Sequence, residues 1–289
     1  GWRIQPEHHG ALNRNRVADS SGIKWRNQRN RQVTNIHYLN DISEFVYSLN
    51  LLMKNLQEKN EQSETETKIF RRALASSYQN TNIEQGDKFS NLMIMLKTYD
   101  RVPIYISSFS QNGDQLGQWR GYCNNESGFS IGFDYVKLKE LAENQKFTLT
   151  KCEYEPSEHS VIIEEHANNL IKSIDFDDPG NYENYIKALT SFWATAPKIK
   201  HNSFKEEAEW RLISQAIGVK DMTPRFRPGN STIIPYNHFS MEPELPIREI
   251  IVGPNPNVDL AIHSTRIVML AHNLRQIKIT ESKIPYRTW

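Results

Sequence analysis

The spacing of apolar positions changes along the chain, and the changes divide it into elements. In ISEFVYSLNLLMKNLQEK, at 42–59, Phe45, Leu49, Leu52 and Leu56 recur at three- and four-residue steps. That spacing predicts an amphipathic helix. The polar run at 60–67 bounds it, and helix resumes over 68–80 and 86–98. The period then shortens. VPIYISSF at 102–109 and GFSIGFDY at 128–135 read as strands, because apolar and aromatic residues dominate between glycines. A glycine-rich polar turn separates them. Residues 136–145 and 158–196 read as helical, the second stretch broken by the turn signal Asp178-Pro179-Gly180. Strands return at 208–216, 231–235 and 247–252, and the turn GPNPN leads to a helix at 258–273 and a strand at 276–281. The fold class this predicts is α+β, with a central mixed or antiparallel sheet and flanking helices. A single domain over 32–289, with a helical insertion at about 136–200, follows an arm at 1–31.

Composition changes this picture little. Lys plus Arg number 35 and Asp plus Glu 34, so the whole chain is not a polyanion binder by charge. Residues 1–31 are different, with seven basic groups against Glu7 and Asp19. Two readings stand: a nucleic-acid arm or a flexible polar terminus. Two cysteines, Cys123 and Cys152, make neither a disulfide framework nor a zinc site. No long apolar run predicts a membrane span, and no basic-then-apolar signal opens the chain. The expected setting is a reducing cytoplasm, with no membrane partner. Oligomeric state has no signature in the sequence.

Candidate chemistry concentrates in two places. FKEEAEWRLI at 204–213 crowds glutamates before an apolar run. Read as a strand, it points Ala208, Trp210 and Leu212 into the core and Glu209, Arg211 and Ile213 the other way. Glu206 and Glu207 fall in a solvated loop. Glu209 is then either paired with Arg211 on an exposed face or faces a cleft. SSFSQNGDQLGQWRGY at 107–122 gathers Ser108, Ser110, Trp119, Arg120 and Tyr122, groups able to bind a flat ring and a phosphate. The plainer alternative is an ordinary buried tryptophan beside a surface arginine. His159 and His166, near Glu164 and Glu165, lack metal-ligand spacing, and no HEXXH or GxSxG occurs.

TNIHYLNDISEF, SSFSQNGDQLGQWRGY with GFSIGFDY, FKEEAEWRLI, PIREIIVGP and SKIPYR occur in this order. As a set they resemble a bacterial family catalogued as domain of unknown function number 2971, over about residues 32–287. Family members open with a short strand resembling L-Y-H-Y-T, which residues 1–31 lack. Ala208-Glu209-Trp210 is similar to the A-E-F strand that carries the catalytic glutamate in DNA-modifying ADP-ribosyltransferase toxins. That more distant resemblance implies an ADP-ribosyltransferase-like fold and an NAD-consuming enzyme. It would be a toxin or phage-defence effector that modifies nucleic acid or protein, with NAD as co-substrate and no metal. Glu209 would be the catalytic acid. Arg120 and Arg211 would hold phosphate or carboxylate groups, Trp119 and Tyr122 would stack, and Ser108 and Ser110 would make polar contacts. His37 and Tyr38 would stand in for the missing early histidine. The alternative is a non-catalytic nucleic-acid-binding or regulatory module.

Overall fold

A computed structural model describes residues 32–39, 43–62, 103–123, 128–173, 181–215, 224–229, 231–242 and 245–285. The expected arm at 1–31, the helices at 68–80 and 86–98 and the turn at 178–180 lie outside the described residues. The fold is α+β, as its sequence periodicity predicts, with a mostly antiparallel sheet flanked by helices.

The larger sheet contains β1 (Gln32–Asn35), β2 (Tyr105–Ser110), β4 (Phe147–Lys151), β5 (Glu209–Ser214), β6 (Arg225–Pro228) and β7 (Ile233–His238). Its order is β4-β5-β2-β1-β7-β6, and every neighbouring pair is antiparallel. A smaller sheet joins β3 (Phe129–Phe133), β8 (Ile247–Val252) and β9 (Lys278–Glu281), with β8 and β9 parallel. The helices are α1 (Ser43–Gln62), α2 (Leu116–Cys123), α3 (Tyr135–Asn144), α4 (Pro156–Ser173), α5 (Asn181–Thr195) and α6 (Val258–Ala271).

Two cores sandwich the larger sheet. On one face, Phe45, Leu49, Leu52 and Leu56 of α1 are all buried and pack with α4, α5, Ile106 and Ile213. The helical spacing of those four side chains therefore marks the face it predicts. On the other face, Val33, Tyr105, Phe109 and Leu212 pack with Phe133, Leu138, Phe147 and Phe239. Strand β5 lies between β2 and β4, under both layers, so both of its faces are covered. This corrects the expectation that one face of β5 points away from the core. Leu212 enters one core and Ile213 the other, while Glu209 and Arg211 are buried beside Ile213.

Three strands and one helix depart from the expected elements. β1, β4 and β6 occupy stretches with no strand expected, and α2 replaces the expected glycine-rich turn. An eight-residue helix with Gly117 and Gly121 has poor intrinsic propensity. Tertiary contacts of Trp119, described below, hold it.

Among the described residues, the helical core includes a pH-sensitive histidine, His166. His166 is buried on α4, edge-on to Phe192 with ring centroids 5.7 Å apart. Burial lowers its pKa, against a smaller upward pull from Glu165. The folded chain therefore binds this proton less readily than the unfolded chain does. Stability falls as pH drops from about 6.5 toward the lowered folded pKa, by at most about 1.4 kcal/mol per pH unit. His166→Phe should lose less stability than wild type between neutral and mildly acidic pH, as read by urea midpoints. Equal losses would contradict this assignment.

Candidate functional site

The chain approaches β5 through two short 3-10 helices, Ala196–Lys198 and Asn202–Glu207. His201 caps the second, its Nδ1 accepting from the Ser203 amide at 3.2 Å. The turn ends at Ala208, which lies in the left-handed region at φ 43°, ψ 51°. An L-residue with a Cβ is held there at a cost of roughly 1–2 kcal/mol. The conformation is fixed from both sides: the Ala208 amide donates to the Lys205 carbonyl, and its own carbonyl accepts from the Gln111 amide. It reverses the chain between Glu207 and Glu209 so that both carboxylates meet one ammonium.

That ammonium is Lys200. Its Nζ lies 2.7 Å from Glu207 Oε2 and 2.6 Å from Glu209 Oε2. Arg211 closes the group: Nε is 2.8 Å from Glu209 Oε1, Nη2 is 3.1 Å from Oε2, and Nη1 donates to the Pro197 carbonyl at 2.7 Å. Ser108, the register partner of Arg211, also hydrogen-bonds the Glu209 carboxyl. Two carboxylates and two cations form a neutral quartet. Burial alone would lower the Lys200 pKa; Glu209 and Glu207 more than offset this and raise it. Burial pushes the Glu209 carboxyl up, against the pull of Lys200. The Glu209 backbone is fixed too, its amide donating to Tyr154 Oη at 2.8 Å and its carbonyl accepting from the Cys152 amide at 2.9 Å. Burial raises the Cys152 thiol well above its ordinary pKa, so it stays a protonated thiol at neutral pH.

The two glutamates differ in access. The Glu209 side chain is 6 % exposed and both its oxygens are engaged; that of Glu207 is 37 % exposed. Among the described residues, Glu207 Oε1 takes no bond. In the same turn, Ser110 Oγ donates to the Glu207 backbone carbonyl at 3.0 Å. Gln115 donates to Glu206, at 2.7 Å to its carbonyl and 3.2 Å to its carboxylate. A Cβ on Gly117 would lie 3.5 Å from Glu206 Oε1. Exposed Arg120, three residues on, shares that face of α2.

The residues singled out from sequence thus separate into groups. Glu209, Arg211, Ser108 and Ser110 come together. Arg211 is buried and spends its donors on Glu209 and Pro197, so it positions the acid and has no open fork for a phosphate. Trp119 is 2 % exposed. Its Nε1 donates to Asp114 Oδ1 at 2.8 Å, and its ring lies where a Cβ on Gly253 would fall, 2.9 Å from Cζ3. That fills the space a stacked ligand would need. Tyr122 is half-buried on α2. His37 and Tyr38 follow Asn35, whose partner on β2 is Tyr105, whereas Glu209 pairs with Ser110 at the other end. The five residue steps along β2 from Tyr105 to Ser110 set the pairs roughly 17 Å apart, so His37 and Tyr38 do not share the Glu209 site. A separate hollow of about 430 Å³, lined by Asp134, Lys137, Arg248 and Gln276 among others, touches none of these residues.

Sequence reasoning missed Lys200 and assigned Glu207 to plain solvation. The one available signal was the Glu-Ala-Glu spacing itself.

The left-handed turn is testable. Ala208→Gly should leave stability unchanged or raised by up to about 1 kcal/mol, since glycine removes the strain. Ala208→Val should cost more than about 2 kcal/mol, because a β-branched residue is worse there. Urea unfolding reads both. A glycine variant as damaged as the valine variant would refute the strain.

Residues 118–212 match the model of a family described as protein of unknown function (DUF2971). The match supports the family resemblance seen in the sequence motifs. No curated protein and no solved structure matches the chain. Among the described residues, no helix is long and apolar enough to cross a membrane.

Proposed function

We propose that the chain is an ADP-ribosyltransferase-like enzyme that cleaves NAD, with Glu207 as the carboxylate that meets the ribose. One observation carries this reading: a strained Ala208 brings Glu207 and Glu209 onto Lys200 and leaves one Glu207 oxygen open at the surface. Strain held at such a point is characteristic of working sites.

In the reaction, the bond between ribose C1′ and the nicotinamide nitrogen breaks and its electron pair neutralises the pyridinium. Positive charge develops on the ribose. A nucleophile on the acceptor forms the new bond to C1′ and gives up its proton. Glu207 Oε1 accepts a hydrogen bond from a ribose hydroxyl and faces this growing charge, which favours the transition state over the ground state. Lys200 fixes the carboxylate so that little reorganisation is needed. Glu209, the acid expected from the sequence, anchors the quartet from inside and acts through Lys200. Arg120, exposed on α2, is assigned the pyrophosphate in this reading. The acceptor class proposed is nucleic acid or protein, in a toxin or phage-defence setting.

Incubating the protein with NAD and RNA, DNA or protein acceptors tests this by release of free nicotinamide. Release that requires the protein and one acceptor is expected. No release with any acceptor would end the enzyme reading.

A further inference from the structure

Helix α6 covers β8 and β9 of the smaller sheet with one face only. Thr265 is buried on that face, its Oγ1 donating to the Ala261 carbonyl at 2.6 Å, and Val268 and Met269 are half-buried around it. The opposite face is open, and its centre is apolar. Leu260 is 68 % exposed, Ile267 54 % and Leu270 52 %. Among the described residues, no other element exposes three large apolar side chains. Their helical spacing sets them in one stripe, which exposed His263 completes. One edge of this stripe is charged. Asp259 and Arg266 are exposed and seven residues apart, so they share that edge. They stand roughly 10 Å apart along the axis, too far to pair with each other. The other edge carries Ser264 and Ala271 and no charge.

We infer that this face binds a second copy of the chain, α6 against α6, antiparallel about a two-fold axis. In such a contact the same edge of each helix meets its own counterpart running the other way. Asp259 of each copy then faces Arg266 of the other, and two reciprocal ion pairs form. The same register seats Leu260 of each copy beside Ile267 of the other, so the apolar stripes cover one another. A parallel pair would set the charged edge against the uncharged one and leave these ions unmatched. The pattern is thus complementary to itself in one orientation. The 14 residues of α6 span roughly 21 Å, so the contact is small and the dimer is expected to exchange with monomer. The inference does not depend on NAD cleavage.

Sedimentation velocity of the full chain over a range of concentrations tests it. A monomer–dimer equilibrium is expected. Ile267→Glu should abolish the dimer. Its circular dichroism should stay unchanged, as should its urea midpoint at concentrations where the wild type is monomeric, because this side chain faces solvent. Asp259→Arg and Arg266→Asp should each weaken the dimer about tenfold, since both ion pairs become like-charge contacts. The double variant Asp259→Arg/Arg266→Asp should restore it, a rescue that no pairing within one helix can give. A chain monomeric throughout would overturn the inference. A dimer untouched by Ile267→Glu would also do so, as would a double variant no better than the single ones. A monomer whose urea midpoint falls with Ile267→Glu would overturn it in favour of another segment of the same chain on this face.

Discussion

Replacing Lys200 by methionine is expected to cost the fold about 3–5 kcal/mol, the range for removing one partner of a buried ion pair. Lys200 is 3 % exposed and touches both Glu207 and Glu209. Methionine would fill much of its volume but leave Glu209 facing Arg211 alone, with one cation lost from a neutral group of four. The loss therefore comes from an uncompensated carboxylate and not from a cavity. The double variant Lys200→Met/Glu209→Gln should recover part of it, since the glutamine carries no charge. A double-mutant cycle in urea measures the coupling. A single-variant loss below about 1 kcal/mol, the ordinary value for a surface pair, would show that the quartet is not coupled.

A comparable loss, about 3–5 kcal/mol, is expected for Trp119→Ala. Asp114 is the reason for the size of the effect beyond the cavity. Its Oδ1 accepts from Trp119 Nε1 at 2.8 Å and from Ser282 Oγ at 2.5 Å, and its Oδ2 accepts from the Lys283 amide at 2.7 Å. The indole also rests on Gly128 and Gly253, which are joined by an amide-to-carbonyl bond of 2.8 Å. Trp119 is therefore the pin between α2, the start of β3, the end of β8 and the residues after β9. Its loss should unfasten the smaller sheet from α2, visible as a lower urea midpoint and a diminished near-ultraviolet signal. If Trp119 were instead a stacking platform for a ligand, the alanine variant would keep its midpoint within about 0.5 kcal/mol and lose only binding.

These two sites show what the sequence could and could not reveal. Long periodic elements were legible: the buried face of α1 follows from Phe45, Leu49, Leu52 and Leu56, and β8 at Ile247–Val252 coincides with the expected strand. Short elements were not. β1 has four residues and runs straight into a 3-10 turn, and β4 alternates over only five. In α2, two glycines mask a helix that Trp119 and Asp114 hold by tertiary contacts. At the site, strand alternation put Glu209, Arg211 and Ile213 together on one face, as observed, but could not show that this face lies beneath helices. Nor could it separate three neighbouring acids, because the residue that turns Glu207 back toward Lys200 is alanine. A glycine there would have signalled a left-handed turn; alanine gives no such signal. Lys200 lies outside the strand, and only the fold brings it to the carboxylates.

The division of labour between an inner and an outer glutamate is the central claim. It is tested most directly by nicotinamide release from NAD by Glu207→Gln, measured beside its urea midpoint. The expected result is a rate reduced by about 100-fold or more, the scale for losing one aimed electrostatic group, with stability lowered by about 1 kcal/mol, less than for Lys200→Met because the Glu207 side chain is 37 % exposed. A Glu207→Gln variant that releases nicotinamide at the wild-type rate would contradict the assignment of Glu207 as the reacting carboxylate.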